Sequence, residues 1–309
     1  MLSCSVVITT WNSAQTIRRC LESLMPYVNN GYIKEVLVVD GHSSDKTVEI
    51  IHSFPVQFFY EEGTEVYEKS IIRSHYSKYH ALDMGWRKAT AELVMFLDSD
   101  AYLGDNFFPQ AWDFFKNDKL GILGCSSRAW PTGAFWRTIG EMWQFHSRRI
   151  AALQSSSPNI FENLYQRVAW FGAKYVLTSG PCYIARRTCV QAIGGHDILG
   201  DVGLCLHIME KGWDSHWWTE SPVYHMTVQN LKELWRQRYA WGLDGAFRPD
   251  GRWRKTPFLL LRVAGAAGLG VFLSARFRNP RHLLVLPISE LGHLYGYIAG
   301  KIARARGKT

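Results

Sequence analysis

The sequence lacks the cysteine spacings that indicate a zinc site or a catalytic redox pair. Its six cysteines form no CxxC pair and no cysteine–histidine metal spacing. Several lie within apolar runs, so we expect reduced core residues and a reducing compartment. The amino-terminus also lacks a basic segment ahead of an apolar stretch, so we expect no signal peptide and a domain that begins near Met1.

Acidic residues are nearly absent from the end of the chain. Residues 251–309 carry eleven Lys/Arg and one acid, Glu290, whereas residues 1–250 carry 24 basic and 26 acidic residues. A basic tail of this kind suits an anionic membrane surface or a nucleic acid, or it is simply a solvated end. Because the tail lacks the interleaved aromatic and basic residues of a nucleic-acid platform, we expect no nucleic-acid partner.

Neither apolar stretch of the tail is a complete membrane span. Residues 258–275 are apolar except for Arg262, but a span needs about 20 residues. Basic residues flank this stretch on both sides, whereas a single span is normally cationic on one side. A second apolar stretch, residues 282–300, is interrupted by Pro287 and Glu290. We expect both stretches to dock on a membrane as in-plane or re-entrant segments, unless they pack back on the body of the protein as ordinary helices.

The first hundred residues predict how the core is built, in a chain that is 47% hydrophobic. Short β-branched runs predict buried strands at residues 5–9, 36–39, 56–60 and 93–97. Helical patterns separate them; Asn12 is a candidate cap of the first helix, which Pro26 should end. Strands that alternate with helices predict βαβ units and a mostly parallel sheet, flanked by helices on both faces, in an α/β fold.

Polar residues follow the carboxyl ends of these strands, where ligands bind in parallel sheets. Asp40 and Gly41 end the second strand, and Asp98 and Asp100 end the fourth. Two carboxylates one residue apart point to the same side of an extended chain. Such a pair suits a hard divalent cation, Mg²⁺ or Mn²⁺, that would neutralise a diphosphate.

Residues 126–178 interrupt this pattern with many aromatic and arginine side chains. We expect two helical parts there, separated at residues 155–158, which line an acceptor groove, rest on a membrane or form ordinary packed helices. A strand–turn–helix pattern then resumes, with Asp201 ahead of an amphipathic helix. A further helix is expected over residues 229–241, after a short strand that ends at His225.

In this order, the segments resemble an inverting family 2 glycosyltransferase of the GT-A fold. The resemblance covers residues 3–242, nearly four fifths of the chain. The matching segments are residues 6–12, 35–47, 81–85, 96–100, 179–182 and 193–197. The resemblance implies a GT-A domain over residues 1–250, with a nucleotide-sugar half (1–125) and an acceptor half (126–250). The basic amphipathic residues 251–309 would then form a helical appendage that associates with a membrane.

The resemblance also implies roles for residues on the donor side. The implied nucleotide-binding residues are Thr10, Asn12 and Asp40. The implied metal ligands are Asp98, Asp100 and His225, with Asp98 reaching either the ribose or the Mg²⁺ or Mn²⁺ ion. A histidine at a strand end is otherwise more often structural, so the role of His225 depends on the resemblance.

An inverting transfer needs a carboxylate that removes the proton of the acceptor hydroxyl. The family usually carries Glu-Asp ahead of a helix, and here Gly200 and Asp201 stand in that place. We assign Asp201 as the base, with Asp197 as the second candidate. An aspartate at a helix amino-terminus is also favoured by the helix dipole alone.

Residues 237–241 resemble the QxxRW element of processive synthases, but Ala240 replaces its arginine. Arg236 or Arg238 could still reach a diphosphate of the donor through charge-assisted hydrogen bonds. This departure, together with the lack of several membrane spans, disfavours a processive polysaccharide synthase.

The sequence thus predicts a metal-dependent inverting glycosyltransferase with a nucleotide-sugar donor and a saccharide or lipid-linked acceptor. The accepting group is a hydroxyl or a phosphate. The tail predicts a peripheral or monotopic protein on the cytoplasmic face of an anionic membrane. The alternative is a non-catalytic GT-A-like protein that binds a nucleotide or a glycan, and Gly200 in place of an acid favours it.

Overall fold

The computed structural model describes residues 2–62, 73–130, 133–154, 180–195, 200–226, 228–246 and 256–306. Within these ranges one mixed sheet carries helices on both faces. Its strands are β1 (Cys4–Thr10), β2 (Ile33–Asp40), β3 (Gln57–Tyr60), β4 (Leu93–Asp98), β5 (Ala101–Leu103), β6 (Leu120–Ala129), β7 (Cys182–Arg186) and β8 (Asp214–His225). The helices are α1 (Ile17–Asn29), α2 (Thr47–Ile51), α3 (Arg73–Lys88), α4 (Phe107–Phe114), α5 (Ala134–Gln154), α6 (Arg187–Ala192), α7 (Gly200–Glu210), α8 (Leu231–Gly245), α9 (Thr256–Phe277) and α10 (His282–Ala305).

The strands lie side by side in the order β3-β2-β1-β4-β7-β6-β8-β5. The four strands predicted from the sequence form a parallel block, β3-β2-β1-β4. Beyond this block, β7 is antiparallel to both of its neighbours, β6 and β8 are parallel, and β5 is antiparallel to β8. The predicted α/β class with a mostly parallel sheet is confirmed. Because β1, β2 and β4 run in one direction, their carboxyl ends meet at one edge of the sheet.

The side-chain alternation of β1 shows how both faces of the sheet are buried. Val6 and Ile8 point to the face covered by α1 and α4, where Leu21 of α1 packs against them. Val7 points to the other face, which α3, α6 and α7 cover and where Leu82 of α3 is buried. The sheet is therefore the middle layer of the fold.

A third apolar cluster joins α5 to the three helices at the end of the chain. Ile139 of α5 and Leu234 of α8 are buried together with Leu273 of α9 and Val285 of α10. The apolar stretches of the basic tail thus pack on the body through α5 and α8. Over the described residues, no helix combines the length and the apolarity needed to cross a bilayer.

Two predictions about the first helix are wrong. Asn12 does not cap it, because the loop after β1 takes Asn12 into the left-handed region (φ 50°) and α1 begins only at Ile17. Pro26 does not end it either, since α1 continues to Asn29 and keeps Tyr27 buried in the core. The burial of the last turn outweighs the single backbone hydrogen bond that proline removes.

The expected irregular segment begins later than predicted. Residues 126–129 belong to β6, and α5 follows over Ala134–Gln154. The predicted break at residues 155–158 lies outside the described residues. In the tail, α10 continues through Pro287 and covers the whole of the second apolar stretch.

Candidate functional site

A cavity of about 770 Å³ opens at the edge of the sheet where β1, β2 and β4 end. Its walls come from the loops after these strands and from α3. The polar and aromatic residues that line it include Thr10, Trp11, Asn12, Glu61, Lys78, Asp98 and Asp100. The structure therefore brings the predicted residues Thr10 and Asn12 to one cavity with the acidic pair.

Asp40 lies beneath this lining and is fully buried. Its Oδ1 accepts hydrogen bonds from Thr10 Oγ1 (2.9 Å) and Ser43 Oγ (2.6 Å), and its Oδ2 accepts one from the Ser43 backbone N–H (2.7 Å). Ser43 Oγ in turn accepts a hydrogen bond from the Asn12 N–H (2.8 Å). Asp40 thus fixes the loops after β1 and β2 against each other, and its contact with a nucleotide stays a prediction.

Both of these loops contain a residue with left-handed backbone. Asn12 has φ 50° and His42 has φ 61°, values that few non-glycine residues adopt. The Asn12 side chain accepts a hydrogen bond from the Ser44 N–H (2.9 Å), and the His42 ring stacks on Tyr60 with centroids 5.1 Å apart. Such conformations persist only where the surroundings hold them, so the two loops have one defined shape.

Asp98, Asp100 and His225 form a compact group, the acidic cluster, beside the cavity. One ligand atom from each lies within 4.8 Å of the others, and His225 Nε2 is 3.1 Å from Asp100 Oδ1. Sheet register produces the cluster: Ala101, directly after Asp100, pairs with His225 across the antiparallel β5 and β8. Two carboxylates and an imidazole are a donor set that fits a divalent cation such as Mn²⁺ or Mg²⁺.

The three side chains respond differently to their burial. Burial raises the pKa of Asp98, and the Lys78 ammonium offsets only part of that rise. Burial also pushes the pKa of Asp100 upward, but the charge and the hydrogen bond of His225 outweigh it and leave this pKa below its usual value. Burial lowers the pKa of His225, but Asp100 and then Asp98 outweigh that effect and the pKa is raised. Asp100 and His225 therefore each favour the charged form of the other.

Lys78 is a cavity residue that the sequence analysis missed. Its Nζ is 2.7 Å from Asp98 Oδ1. Burial lowers the pKa of Lys78, but the negative charge of Asp98 outweighs this effect and the pKa is raised. α3 can bring it this close because Gly85 leaves no side chain between α3 and Val7 of β1. Nothing in the helical pattern singled Lys78 out from the other polar residues of α3.

Trp143 is a second residue that the sequence alone did not identify. Its ring, on α5, stacks on the imidazole of His225 with centroids 5.3 Å apart and planes inclined by 11°. The indole therefore restricts the orientation of the imidazole whose Nε2 faces Asp100. Through Trp143, α5 therefore connects the third apolar cluster to the acidic cluster.

Asp201, which was expected just ahead of a helix, lies in the first turn of α7, because this helix begins at Gly200. Its Oδ2 accepts a hydrogen bond from the Gly180 N–H (3.1 Å), and the adjacent Pro181 carbonyl accepts one from the Asp98 N–H (2.8 Å). Burial raises the pKa of Tyr183, and the negative charges of Asp201 and Asp98 raise it further. Asp201 and the backbone of Asp98 are thus hydrogen-bonded to Gly180 and Pro181, the two residues ahead of β7, which places Asp201 on the β7 side of the cluster.

The other predicted residues lie apart from the cavity lining. Arg236 is exposed on α8, and the Arg238 guanidinium lies over the Trp241 ring, 4.5 Å from its centroid. Asp197 lies outside the described residues. The roles of the two arginines and the choice between Asp201 and Asp197 stay predictions.

Two family models match the chain. The model "Glycosyl transferase family 2" matches residues 5–171, and "Glycosyl transferase family group 2" matches residues 93–291. The resemblance inferred from the motifs is therefore confirmed. The matches span both the parallel block and the strands that complete the acidic cluster.

Curated relatives and solved structures agree with these models. Poly-beta-1,6-N-acetyl-D-glucosamine synthase of Staphylococcus epidermidis is 30% identical over 245 residues, 78% of this chain and 54% of that protein. Beta-monoglucosyldiacylglycerol synthase of Trichormus variabilis is 22% identical over 261 residues, 81% of this chain and 50% of that protein. The chain thus spans about half the length of these relatives.

Among solved structures, a mannosyltransferase from Pyrobaculum calidifontis, in complex with GDP-Man and Mn²⁺, has a similar fold. The TM-score is 0.60 at 16% identity, with 99% of this chain and 88% of that chain covered. At this identity the likeness establishes the fold, and it confirms the predicted class.

Proposed function

The chain belongs to glycosyltransferase family 2, and from this membership we propose that it moves a sugar from a nucleotide-diphosphate sugar to an acceptor oxygen, with inversion at the anomeric carbon. The observation that carries the proposal is the cluster of Asp98, Asp100 and His225 beside a cavity of about 770 Å³. A cavity of this volume accommodates a ligand of nucleotide-sugar size.

The donor would lie along the loops after β1 and β2. Thr10 and Asn12 line this part of the cavity, and Trp11, 65% exposed, offers an aromatic face to a base. The Lys78 ammonium pairs with Asp98. When the donor binds, it can leave Asp98 and bind a diphosphate oxygen instead. Asp40 supports this arrangement by fixing the two loops.

The acidic cluster would hold Mg²⁺ or Mn²⁺. Asp98, Asp100 and His225 supply two carboxylates and an imidazole within mutual reach. When bound, such an ion supplies charge neutralisation for the departing diphosphate. Carboxylate ligands favour these hard ions over softer ones, and the cluster contains no thiolate.

We assign the removal of the acceptor proton to Asp201. The acceptor oxygen forms a bond to the anomeric carbon while the bond from that carbon to the diphosphate oxygen breaks. The electron pair leaves with the nucleoside diphosphate, and the hydroxyl proton passes to the Asp201 carboxylate. The hydrogen bond from the Gly180 N–H to Oδ2 holds the Asp201 carboxylate in place at the start of α7.

We also propose a lipid-linked acceptor and a location on the cytoplasmic face of a membrane. Support comes from the basic charge of residues 251–309, which would attract an anionic leaflet. One relative is named as the synthase of a glucosyldiacylglycerol, which is a lipid product. The nature of the acceptor can be tested separately from the transfer chemistry.

The experiment is a screen of nucleotide sugars for release of nucleoside diphosphate, with Mn²⁺, with Mg²⁺ and with a chelator. We expect release that depends on the metal ion. Asp100→Asn and Asp201→Asn should each lower turnover by about 100-fold or more, because one loses a metal ligand and the other the base. Asp113→Asn, an exposed aspartate on α4, is the matched control and should leave turnover unchanged.

Two results would contradict the proposal. Full turnover with the chelator present and in Asp100→Asn would exclude a metal-dependent transfer at this cluster. Mn²⁺ and nucleotide binding without any release, for every sugar tested, would instead favour the non-catalytic alternative. If Asp201→Asn stays active and Asp197→Asn does not, the base is Asp197.

A further inference from the structure

An apolar stripe runs along the exposed side of α10. Its members follow one another at alternating intervals of four and three residues, and they are Leu284, Ile288, Leu291, Tyr295, Ile298 and Ile302. Five of the six are between 42% and 65% exposed. Residues at this spacing share one helix face, so the stripe extends over about 27 Å, from 18 residues at 1.5 Å each.

The opposite face of α10 packs so closely that the helix cannot rotate to bury the stripe. A Cβ at Gly296 would overlap the backbone carbonyl of Tyr239, and one at Gly300 would lie 2.9 Å from the carbonyl oxygen of Leu243. The backbones of α8 and α10 are therefore in direct contact along the glycine face. The stripe faces outward because the glycine face must face α8.

Aromatic residues extend the apolar surface beyond α10. Trp235 of α8, 36% exposed, lies beside Tyr295 with ring centroids 6.1 Å apart. On the other side, Leu283 contacts α9 near Gly270, where the exposed Val271 follows. Tryptophan and tyrosine beside aliphatic side chains are typical of surfaces at the boundary between lipid and water.

Positive charges lie at both ends of the stripe. Arg278 and Arg281 are exposed before α10, and Lys301, Arg304 and Arg306 are exposed at its end. Residues 251–309 contain a single acid. An apolar stripe bounded by cations at both ends matches a helix that lies flat in an anionic interface.

The same charges argue against a second copy of the chain as the occupant. The spacing of the stripe would also suit a two-helix coiled coil. In a parallel pair, however, Lys301 of one copy would lie across from Arg306 of the other, because these residues occupy the positions on either side of the stripe. In an antiparallel pair they would meet Arg278 and Arg281. Both arrangements place like charges together, whereas anionic headgroups neutralise them.

We propose that the α10 stripe, with Trp235 beside it, is a docking surface for an anionic lipid bilayer and that α10 lies parallel to the membrane plane. The inference deepens the proposed membrane location but rests on this surface and not on glycosyl transfer. α8, which supports the stripe, follows the strand that carries His225. Docking would therefore hold the cavity close to lipid-borne acceptors.

The experiment is flotation of the full chain with phosphatidylcholine vesicles, with and without phosphatidylglycerol, at low and high salt. We expect binding to the anionic vesicles that weakens in high salt. The double variant Tyr295→Asn/Ile298→Asn should bind at least about tenfold less, because it removes apolar area from the centre of the stripe. Lys301→Glu/Arg304→Glu should also bind at least about tenfold less.

The charge-matched control is Lys116→Glu/Lys119→Glu, at exposed positions after α4, which should bind as the unmodified chain does. Circular dichroism melts check that each variant is folded, and release of nucleoside diphosphate is measured in parallel. The proposed docking surface is wrong if the stripe variants bind the vesicles as well as the unmodified chain does, or if the unmodified chain does not bind them. Either result holds regardless of the turnover measured in parallel. A dimer in sedimentation velocity that Tyr295→Asn/Ile298→Asn abolishes would assign the stripe to a second copy instead.

Discussion

The edge of the sheet around the cavity and the layer formed by α8, α9 and α10 are held together in different ways. At the sheet edge, polar side chains bind one another: Asp40 holds Thr10 and Ser43, and His225 holds Asp100. Between α8 and α10 the backbones themselves touch, because glycines leave no side chains in the contact. The first arrangement fixes the direction of functional groups, and the second fixes only the position of a helix.

This difference determines what each region tolerates. A change at the sheet edge should alter binding or turnover while the core under it remains intact, since both faces of the sheet are packed independently. A change in the helical layer should alter stability first, because close backbone contact leaves no room for relaxation. The three predictions below test this distinction.

Gly296→Ala should cause the largest loss. The new methyl group would overlap the Tyr239 carbonyl, so α8 and α10 must separate along their length. Overpacking of this kind costs about 3 kcal/mol, which exceeds the gain of about 1 kcal/mol from replacing glycine in a helix. Urea denaturation measures the change in the free energy of unfolding.

Gly268→Ala is the matched control for this change. It places the same methyl group on α9, where no atom lies within 4 Å of the new Cβ. We expect it to stabilise the protein by up to about 1 kcal/mol through helix propensity alone. If Gly296→Ala is as stable as Gly268→Ala, backbone contact does not hold the layer together.

Trp143→Ala tests the contact between the acidic cluster and α5, the helix on which the helical layer packs. Removal of the indole frees the His225 ring, so we expect Mn²⁺ to bind about tenfold more weakly, as for other residues that orient a ligand. Electron paramagnetic resonance of free Mn²⁺ measures the affinity without any turnover. Trp143→Phe keeps an aromatic face and should retain most of the affinity. Unchanged Mn²⁺ binding in Trp143→Ala would show that the stack does not position His225.

Sequence patterns predicted the parallel block well, for a physical reason. β1, β2 and β4 contain continuous apolar runs that are buried on both faces, so each run identifies a strand without knowledge of its neighbours. The polar residues at the strand ends, such as Asp98, could be placed at one edge on the same basis. β5 could not be predicted, because a strand of three residues is defined by its partner rather than by its composition.

The candidate site was only partly predictable. The spacing of Asp98 and Asp100 indicated a shared side, but the distance to His225 depends on the register of β5 with β8, which local sequence does not contain. Lys78 and Trp143 reach the site through the packing of whole helices. The resemblance to a family supplied His225, and the structure supplied its neighbours.

Glu141→Gln should cause the smallest loss, because it keeps the shape of the side chain and removes only the charge from the polar contact between α5 and the turn from α9 to α10. Glu141 Oε1 accepts a hydrogen bond from Arg137 (2.7 Å), and Oε2 lies 2.8 Å from Asn279 Nδ2 and 2.9 Å from His282 Nε2, between α9 and α10. Burial raises the pKa of Glu141, but these contacts outweigh it and the pKa is lowered. A lowered pKa in the folded state stabilises the protein above the unfolded pKa of about 4.3, and the benefit disappears as the pH falls through the folded value.

We expect Glu141→Gln to lose about 1 kcal/mol in urea denaturation at neutral pH, with the difference from the unmodified chain shrinking below about pH 4.3. Glu22→Gln, an exposed glutamate on α1, should show no such loss. A deficit in Glu141→Gln that stays constant at low pH would mean that shape, and not charge, attaches the α9–α10 turn to α5.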